Sequence, residues 1–229
     1  MTRAAGRSVR PVSTTTDPGG PGPREQNRRG QGGRLRADIV AAAADLLDET
    51  GTEQSVTLRA VARRAGITAP AIYAHFADRQ QVLLGVVQEA FAELEEALHA
   101  VDPQASPDPV AHLRAVCAAY SDFAAGRPQR YRVMFGGLWN AGEALDRASV
   151  TSAQVTDLGQ DALAVLTGAL RACVAAGLST SDDAAADAVA LWVGLHGLAH
   201  QRAVTAAFPW PADVDRRLVD ALAHLDPGS

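Results

Sequence analysis

Five side chains between residues 57 and 79 have the chemistry to hold phosphate oxygens: Thr57, Thr68, Tyr73, His75 and Arg79. Tyr73 and His75 carry polar tips that donate hydrogen bonds, and each threonine precedes a helical pattern whose first backbone N–H groups favour anions. Arg79 falls in the first turn of the next predicted helix, where a cation opposes the helix dipole, so a nearby phosphate would explain it. The alternative interpretation is an ordinary solvated surface.

Two short helices must position these side chains. The first runs from Thr57 as N-cap to Gly66, which can adopt the left-handed backbone of a sharp turn. The second begins at Thr68 and directs Ile72 and Phe76 onto the first. This spacing is typical of a helix-turn-helix, whose second helix enters the DNA major groove.

The composition predicts an all-α fold. Apolar residues make up 47% of the 229 residues and aromatic residues only 5%, with Ala and Leu dominant. Both residue types favour helices, whereas strands prefer β-branched and aromatic residues. No segment shows sustained strand alternation. The expected architecture is an N-terminal three-helix helix-turn-helix domain followed by a C-terminal helical domain.

The charge distribution and the cysteine content indicate which partners and which cellular compartment to expect. Residues 1–80 carry a formal charge of +4 and residues 81–229 carry −9, so we expect one basic surface that meets phosphate. Cys117 and Cys173 fit neither a disulfide framework nor a metal motif, which favours buried thiols in a reduced cytoplasm. The N-terminus lacks a signal-peptide core, and no apolar run has the length of a membrane span. We therefore expect a cytoplasmic protein without a membrane partner.

The chain divides into three predicted regions. Residues 1–33 are rich in Gly, Pro and Arg and are predicted to be disordered. Residues 34–84 form the helix-turn-helix domain and residues 85–229 the second domain. Asp78 and Gln81 resemble a capping box at the start of a long helix that reaches Leu98. Further helices are predicted at about 110–125, 128–136, 150–177, 182–205 and 211–225.

Residues 36–84 resemble the DNA-binding domain of the TetR family of bacterial regulators. The matching positions are Ile39, Ala43, Leu46, Thr57, Ala62, Ala65, Gly66, Ile67, Thr68, Ile72, Tyr73, His75 and Phe76. The sequence departs from the family at Arg79-Gln80, where a Lys followed by an acidic residue is usual. Arg keeps the positive charge, so the phosphate contact remains possible.

The resemblance implies roles by position. Thr57, Tyr73, His75 and Arg79 would hold phosphates, and the residues nearest the base edges would be Thr68, Ala69, Pro70 and Ala71. Ala and Pro offer apolar contact, for example with thymine methyl groups, but no bidentate hydrogen bond. Base readout should therefore draw on other residues. The candidates are Arg59 and, as an arm in the minor groove, Arg24, Arg28, Arg29, Arg34 and Arg36. A solvated Arg-rich linker is the alternative for the arm.

The second domain resembles one TetR C-terminal subgroup, with its Trp-x-x-x-His-Gly (WHG) motif at residues 192–197 and a Tyr and Met-Phe pattern at residues 130–135. The resemblance implies a ligand-sensing and dimerisation domain. The helix at 182–205 is apolar nearly all round, which predicts burial on two sides. The predicted dimer contacts are Ala190, Gly194, Gly197, Gln201, Leu218 and Leu222. A two-fold dimer would read a palindrome with half-sites roughly 34–36 Å apart or somewhat more.

A small-molecule effector pocket is predicted among the middle helices. Its candidate residues, each of which could equally be core, are Phe91, Tyr120, Phe123, Tyr131, Met134, Phe135, Trp139 and Trp192. His196 and His200 are four residues apart, but no carboxylate or Cys accompanies them at motif spacing. We therefore expect neither a metal nor a cofactor.

Three functions compete. The leading hypothesis is a ligand-responsive dimeric repressor of double-stranded DNA, in which the effector favours a conformation that no longer fits the operator. An activator, or a regulator without a small ligand, would share the fold. An all-α enzyme is the least favoured, because the sequence shows no nucleophile–base pair, metal motif or phosphate loop.

Overall fold

The computed structural model describes residues 31–103, 108–137 and 139–225. Within these ranges the protein is all-α, as predicted, with a single isolated bridge between Ser179 and Leu225 instead of a sheet. A 3₁₀ turn spans Glu53–Ser55. The helices are α1 Gln31–Thr50, α2 Leu58–Arg64, α3 Ala69–Ile72, α4 Arg79–His99, α5 Pro109–Gly126, α6 Pro128–Phe135, α7 Ala141–Asp146, α8 Ser152–Thr156, α9 Gln160–Ala175, α10 Ala184–Val204 and α11 Val214–Leu222.

The ends of the first helices follow the predicted caps. Thr57 Oγ1 accepts a hydrogen bond from the Ala60 N–H at 3.1 Å, and the Asp78 carboxylate accepts from the Gln81 N–H at 2.9 Å. Gly66 has φ +68° at the end of α2, a backbone conformation that only glycine adopts without strain. These local signals fix α2 and the start of α4.

The predicted helix at 150–177 is wrong as a single element. Gly159 adopts φ +76° and separates α8 from α9. A Cβ at this position would lie 2.7 Å from Cε1 of Phe91, so the break and the close packing against α4 both require glycine. The short helix α7 was not predicted; Asn140 caps it by accepting from the Glu143 N–H at 3.1 Å.

The segment Ser152–Ala175 reaches the length and mean hydropathy of a membrane span, contrary to the expectation from sequence. The break at Gly159 leaves 16 residues in α9, fewer than the roughly 20 that cross a bilayer as a helix. One face of α9 is buried, at Ala162, Leu166, Ala169, Leu170 and Cys173. Cys117 and Cys173 are both free and buried, as predicted.

Helix α1 begins at Gln31, inside the predicted tail. Glycine has a low helix propensity, so the sequence predicts that the first helix begins after Gly32 and Gly33. The predicted domain boundary at residue 84 falls inside α4. Val82 and Val86 of α4 belong to the core around the helix-turn-helix, here called the reader core. Leu94 and Leu98 belong to the core of the second domain. Helix α4 therefore connects the two cores without a linker.

Candidate nucleic-acid interface and effector region

The turn between α2 and α3 has helix-turn-helix geometry. The Ile67 N–H donates to the Ala62 carbonyl at 2.9 Å and closes α2 around Gly66. Ile72 is fully buried and Phe76 is 1% exposed, so both residues fix α3 to the reader core. The outward side of α3 is left open, as a reading helix requires.

Helix α3 continues as a hydrogen-bonded turn to His75, and the outward face of the two together, here called the outward face of α3, consists of Ala69, Pro70, Tyr73 and Ala74. Tyr73 is 61% exposed, Pro70 and Ala74 are exposed, and Ala69 is half-buried. Ala74 is absent from the predicted set. Its position four residues after Pro70 would have revealed it, because such pairs share a helix face. Ala71 is half-buried beside this face.

Thr57, Arg59 and Thr68 lie around the reading helix and are all exposed. Thr57 uses its hydroxyl oxygen to cap α2. Thr68 stands at the N-cap position of α3, yet its side chain makes no capping hydrogen bond. The Thr68 hydroxyl is therefore available to another partner. The phosphate and base roles of these residues remain predictions.

Arg79 contacts its own chain. Its Nε donates to the Val56 carbonyl at 2.8 Å, its Nη2 donates to the Glu53 carbonyl at 2.5 Å, and the Glu53 carboxylate lies 3.5 Å away. These contacts hold the 3₁₀ turn against α4 and explain the cation without a phosphate. Arg79 is therefore a structural residue first, and the proposed phosphate contact would have to use its remaining donors.

The predicted arginine arm has a different arrangement from the expected one. Arg34 and Arg36 are exposed residues of α1, and the Arg36 guanidinium carbon lies 4.6 Å from the centre of the Phe76 ring. A residue held in a helix is not an extended arm. Arg24, Arg28 and Arg29 lie outside the described residues. His75 is half-buried, and its Cε1 would lie 3.9 Å from a Cβ on Gly32, so its ring lies close to the start of α1.

In the second domain, the structure brings four predicted ligand residues together around His196. Ring centres are 4.2 Å apart for Phe135 and His196, 5.2 Å for Tyr131 and Phe135, and 5.4 Å for Tyr120 and Trp192. Met134 packs partly buried against the same core. These rings fill the space between them, so the group, here called the aromatic cluster, is a packed core in this conformation.

A hydrogen-bonded pair occupies the centre of the aromatic cluster. The Tyr131 hydroxyl lies 2.7 Å from His196 Nδ1 and donates to the His196 carbonyl at 3.0 Å. A hydroxyl has one hydrogen, so we assign the Nδ1–H tautomer, with His196 as donor to Tyr131. Burial, together with the neighbouring His200, lowers the pKa of His196. His196 is therefore neutral at neutral pH.

Three predicted ligand residues lie away from this centre. Phe123 is buried below the Arg127 guanidinium, whose carbon lies 5.6 Å from the ring centre. Trp139 packs against the reader core and a small cluster with Ala144. Phe91 makes an edge contact with Phe135 at 5.5 Å and lines a small cleft of about 160 Å³ beside Gly159.

Two adjoining clefts between α5 and α10 were not predicted. They measure about 350 and 360 Å³ and share Ser121 and Arg202. Arg202 forms a two-pronged ion pair with Asp215, with Nη1 to Oδ1 at 2.9 Å. Cys117 lines the first cleft, but burial raises its thiol pKa to about 12, so it is a poor nucleophile. Across the described residues, no three metal-type side chains converge.

The predicted dimer contacts divide into two groups. Ala190, Gly197 and Gln201 are exposed on α10. They share this surface, here called the outer face of α10, with Val189, Val193 and Val204, which are 47%, 61% and 61% exposed.

Gly194, Leu218 and Leu222 instead contact one another within the chain. A Cβ on Gly194 would lie 2.5 Å from Leu222 Cδ1 and 3.3 Å from Leu218 Cδ2. Close packing of α11 on α10 accounts for all three residues. Their predicted role between two chains stays a prediction and would have to use the exposed sides of these half-buried residues.

Helix α6 contacts both cores. Val133 is buried in the reader core, whereas Tyr131 belongs to the core of the second domain. Arg130 Nε lies 3.3 Å from the Glu93 carboxylate on α4, and Arg132 Nη2 donates to the Gly51 carbonyl at 3.4 Å. A shift of α6 would move groups in both domains at once.

Comparison with known proteins connects these two domains to two family models. The model described as "Bacterial regulatory proteins, tetR family" matches residues 39–86. The model described as "Tetracyclin repressor-like, C-terminal domain" matches residues 113–225. No curated protein matches the chain.

Solved structures share the fold over most of their length. A protein with unknown function from Rhodococcus sp. RHA1 is 26% identical, with a TM-score of 0.65, covering 87% of this chain and 95% of that one. The regulator FadR from Bacillus subtilis, solved in complex with stearoyl-CoA, is 15% identical, with a TM-score of 0.64 and coverages of 82% and 97%. A tetR-family regulatory protein from Rhodococcus RHA1 is 20% identical, with a TM-score of 0.57 and coverages of 83% and 95%.

Proposed function

The chain belongs to the TetR family of bacterial regulatory proteins, whose N-terminal and C-terminal models match most of it, and we propose that it is a dimeric, ligand-responsive repressor acting on a palindromic operator in the cytoplasm. It is a DNA-binding transcriptional regulator by family. The dimer, the operator symmetry, the effector and the sign of regulation are the proposal. We also assign the C-terminal domain to the WHG subgroup, on the Trp192, His196 and Gly197 motif.

The observation that carries the proposal is the presence of two outward surfaces on the same chain. The outward face of α3 presents Pro70, Tyr73 and Ala74 to a groove, and the outer face of α10 presents Val189 and Val193. Exposed valines without charged neighbours on the same face favour contact with another protein surface. A second copy on the outer face of α10 would place two reading helices at a fixed separation.

Helix α6 supports an effector response. Because it packs in both cores, a ligand that separates Tyr131 or Phe135 from His196 would also displace Val133 in the reader core. The ligand would have to favour the displaced state to lower DNA affinity. The predicted ligand residues of the aromatic cluster remain our candidates for its contacts.

Selection of bound sequences from a random double-stranded DNA library, using the purified full chain, tests the proposal. We expect enrichment of an inverted repeat whose half-sites are about one or more helical turns apart. Light scattering of the free protein should give the mass of two chains. Enrichment of unrepeated sequences by a monomeric protein would contradict the dimeric repressor.

A regulator of the same fold without a small ligand is the second candidate. The tight ring contacts of the aromatic cluster favour it, because they leave Phe135 and His196 only 4.2 Å apart between ring centres. Footprints relative to the promoter distinguish repressor from activator. Fluorescence anisotropy of a labelled operator complex, measured with metabolite extracts fractionated by polarity, distinguishes the ligand-responsive form: we expect one fraction to release DNA.

A further inference from the structure

The outward face of α3 is almost devoid of groups that read bases by hydrogen bonds. Of Ala69, Pro70, Tyr73 and Ala74, only Tyr73 carries a polar atom, and Pro70 also lacks a backbone N–H. A helix that reads guanine or adenine directly presents Arg, Lys, Asn or Gln to the base edge. None of these residue types occurs between Thr68 and Phe76, where the polar side chains are Thr68, Tyr73 and His75.

Three of the cations near the reading surface are held by their own chain, whereas Arg59 and Arg63 on α2 are exposed. Arg79 donates to the Val56 and Glu53 carbonyls, and Arg36 lies over the Phe76 ring. Arg64 is bonded to Glu49 and lies 3.6 Å from Asp45, and the Glu49 hydrogen bond raises the pKa of its guanidinium further. Helix α3 itself therefore presents small apolar side chains at its centre, and a base contact by Arg59 would come from α2.

Small apolar side chains have one partner in the major groove. Thymine places its 5-methyl group there, whereas the other three bases present only donors and acceptors at the corresponding edges. We propose that this reader selects its half-site through thymine 5-methyl groups packed against Pro70, Ala69 and Ala74. This inference rests on the proposed DNA-binding function, which the helix-turn-helix itself supports, and it names the chemistry of the partner.

The expected effect follows from methyl burial. Removing one methyl group from a buried contact costs about 0.8 kcal/mol, which is about a fourfold loss of affinity. The loss carries no charge, so it should be the same factor at low and high salt, unlike the loss of a phosphate contact. A methyl-reading surface thus has a distinct experimental signature.

The test uses deoxyuridine, which pairs like thymidine but lacks the 5-methyl group. Each thymidine of the library-selected operator is replaced singly, and the dissociation constant is measured for the full chain. We expect about a fourfold loss at one or more thymines in each half-site and less than twofold at flanking thymines. Losses below twofold at every thymine, with tight binding to the parent operator, would overturn the inference. A penalty that vanishes at higher salt would also overturn it.

Protein variants locate the contact. In Pro70→Ala and Ala74→Gly, the deoxyuridine penalty should fall below twofold at one thymine and stay about fourfold at the others. The matched control is Ala77→Gly, because Ala77 is exposed but lies beyond the reading helix; it should keep every penalty. Thermal unfolding confirms that each variant folds. Unchanged penalties in both folded variants would overturn the assignment.

Failure of the inference is distinguishable from failure of the proposed function. If the protein enriches no DNA sequence, the proposed regulatory function itself is contradicted. If the protein binds a selected operator equally well with and without thymine methyl groups, only the base readout proposed for α3 is contradicted. The same selection experiment supplies the DNA for testing both the proposed function and the thymine readout.

Discussion

The reader domain and the C-terminal domain use similar side chains in opposite ways. Tyr73 of the reader is 61% exposed on α3, whereas Tyr131 of the second domain is 7% exposed and bonded to His196. An exposed polar tip contributes nothing inside the chain and is free for a partner. A buried one has already exchanged water for a protein partner, so removing it leaves that partner unsatisfied.

This difference separates the expected effects of mutation. Changes on the outward face of α3 should alter DNA binding and leave the free energy of unfolding unchanged. Changes in the aromatic cluster should alter the free energy of unfolding first. The outer face of α10 is the exception in the second domain, because it is exposed like the reader and should act through a partner chain.

The largest expected effect is that of Val193→Asp. Val193 is 61% exposed at the centre of the outer face of α10. In a dimer the substitution buries an unpaired carboxylate from each chain, and each such charge costs about 3–5 kcal/mol. We expect monomers by light scattering and a loss of operator affinity of more than about 100-fold.

Ala115→Asp is the control for this charge, because Ala115 is exposed on α5 and not on α10. It should leave the mass and the affinity unchanged. A dimeric Val193→Asp with full operator affinity would show that the two chains meet elsewhere.

Gly159→Ala should have the next largest effect, on stability. Gly159 has φ +76°, and its added Cβ would lie 2.7 Å from Phe91 Cε1. A left-handed backbone for alanine costs about 1–3 kcal/mol, and the clash adds to it. The measurement is denaturant unfolding. Gly168→Ala is the control: Gly168 is helical with open space around it, so alanine should raise the free energy of unfolding by up to about 1 kcal/mol.

These two glycines also illustrate what the sequence could predict. The caps at Thr57 and Asp78 and the turn at Gly66 depend on neighbours within a few residues, and all three were predicted correctly. The break at Gly159 depends on Phe91 in a distant helix, so periodicity alone joined α8 to α9. The features that were predicted depend on residues close along the chain, whereas the break that was missed depends on a residue far along it.

The candidate sites follow the same division. The outward side chains of α3 follow from helical spacing, which supplies Tyr73 and, by the same rule, the unpredicted Ala74. Arg79 binds a turn 23 to 26 residues earlier in the chain, and the clefts at Arg202 arise between helices far apart in sequence. Neither could be seen before the helices were packed.

Tyr131→Phe should destabilise the protein by about 1–3 kcal/mol. It removes the hydroxyl that bridges His196 Nδ1 and the His196 carbonyl, and a buried polar group left without its partner costs about this amount. The ring itself is retained, so the edge contacts with Phe135 stay. Denaturant unfolding gives the change. A stability equal to wild type would contradict the bridging role assigned to the Tyr131 hydroxyl.

The same substitution in the reader, Tyr73→Phe, should have the smallest effect, and it should change the affinity for DNA instead of the free energy of unfolding. The Tyr73 hydroxyl is exposed, so the free energy of unfolding should not change. Loss of one neutral hydrogen bond to phosphate should weaken binding about two- to tenfold, equally for operator and random DNA, because phosphate contacts carry no sequence information. The salt dependence should stay the same, since tyrosine releases no counterion. A loss confined to the operator would mean that Tyr73 reads a base, and would move it from the phosphate-binding residues to the base-reading surface of α3.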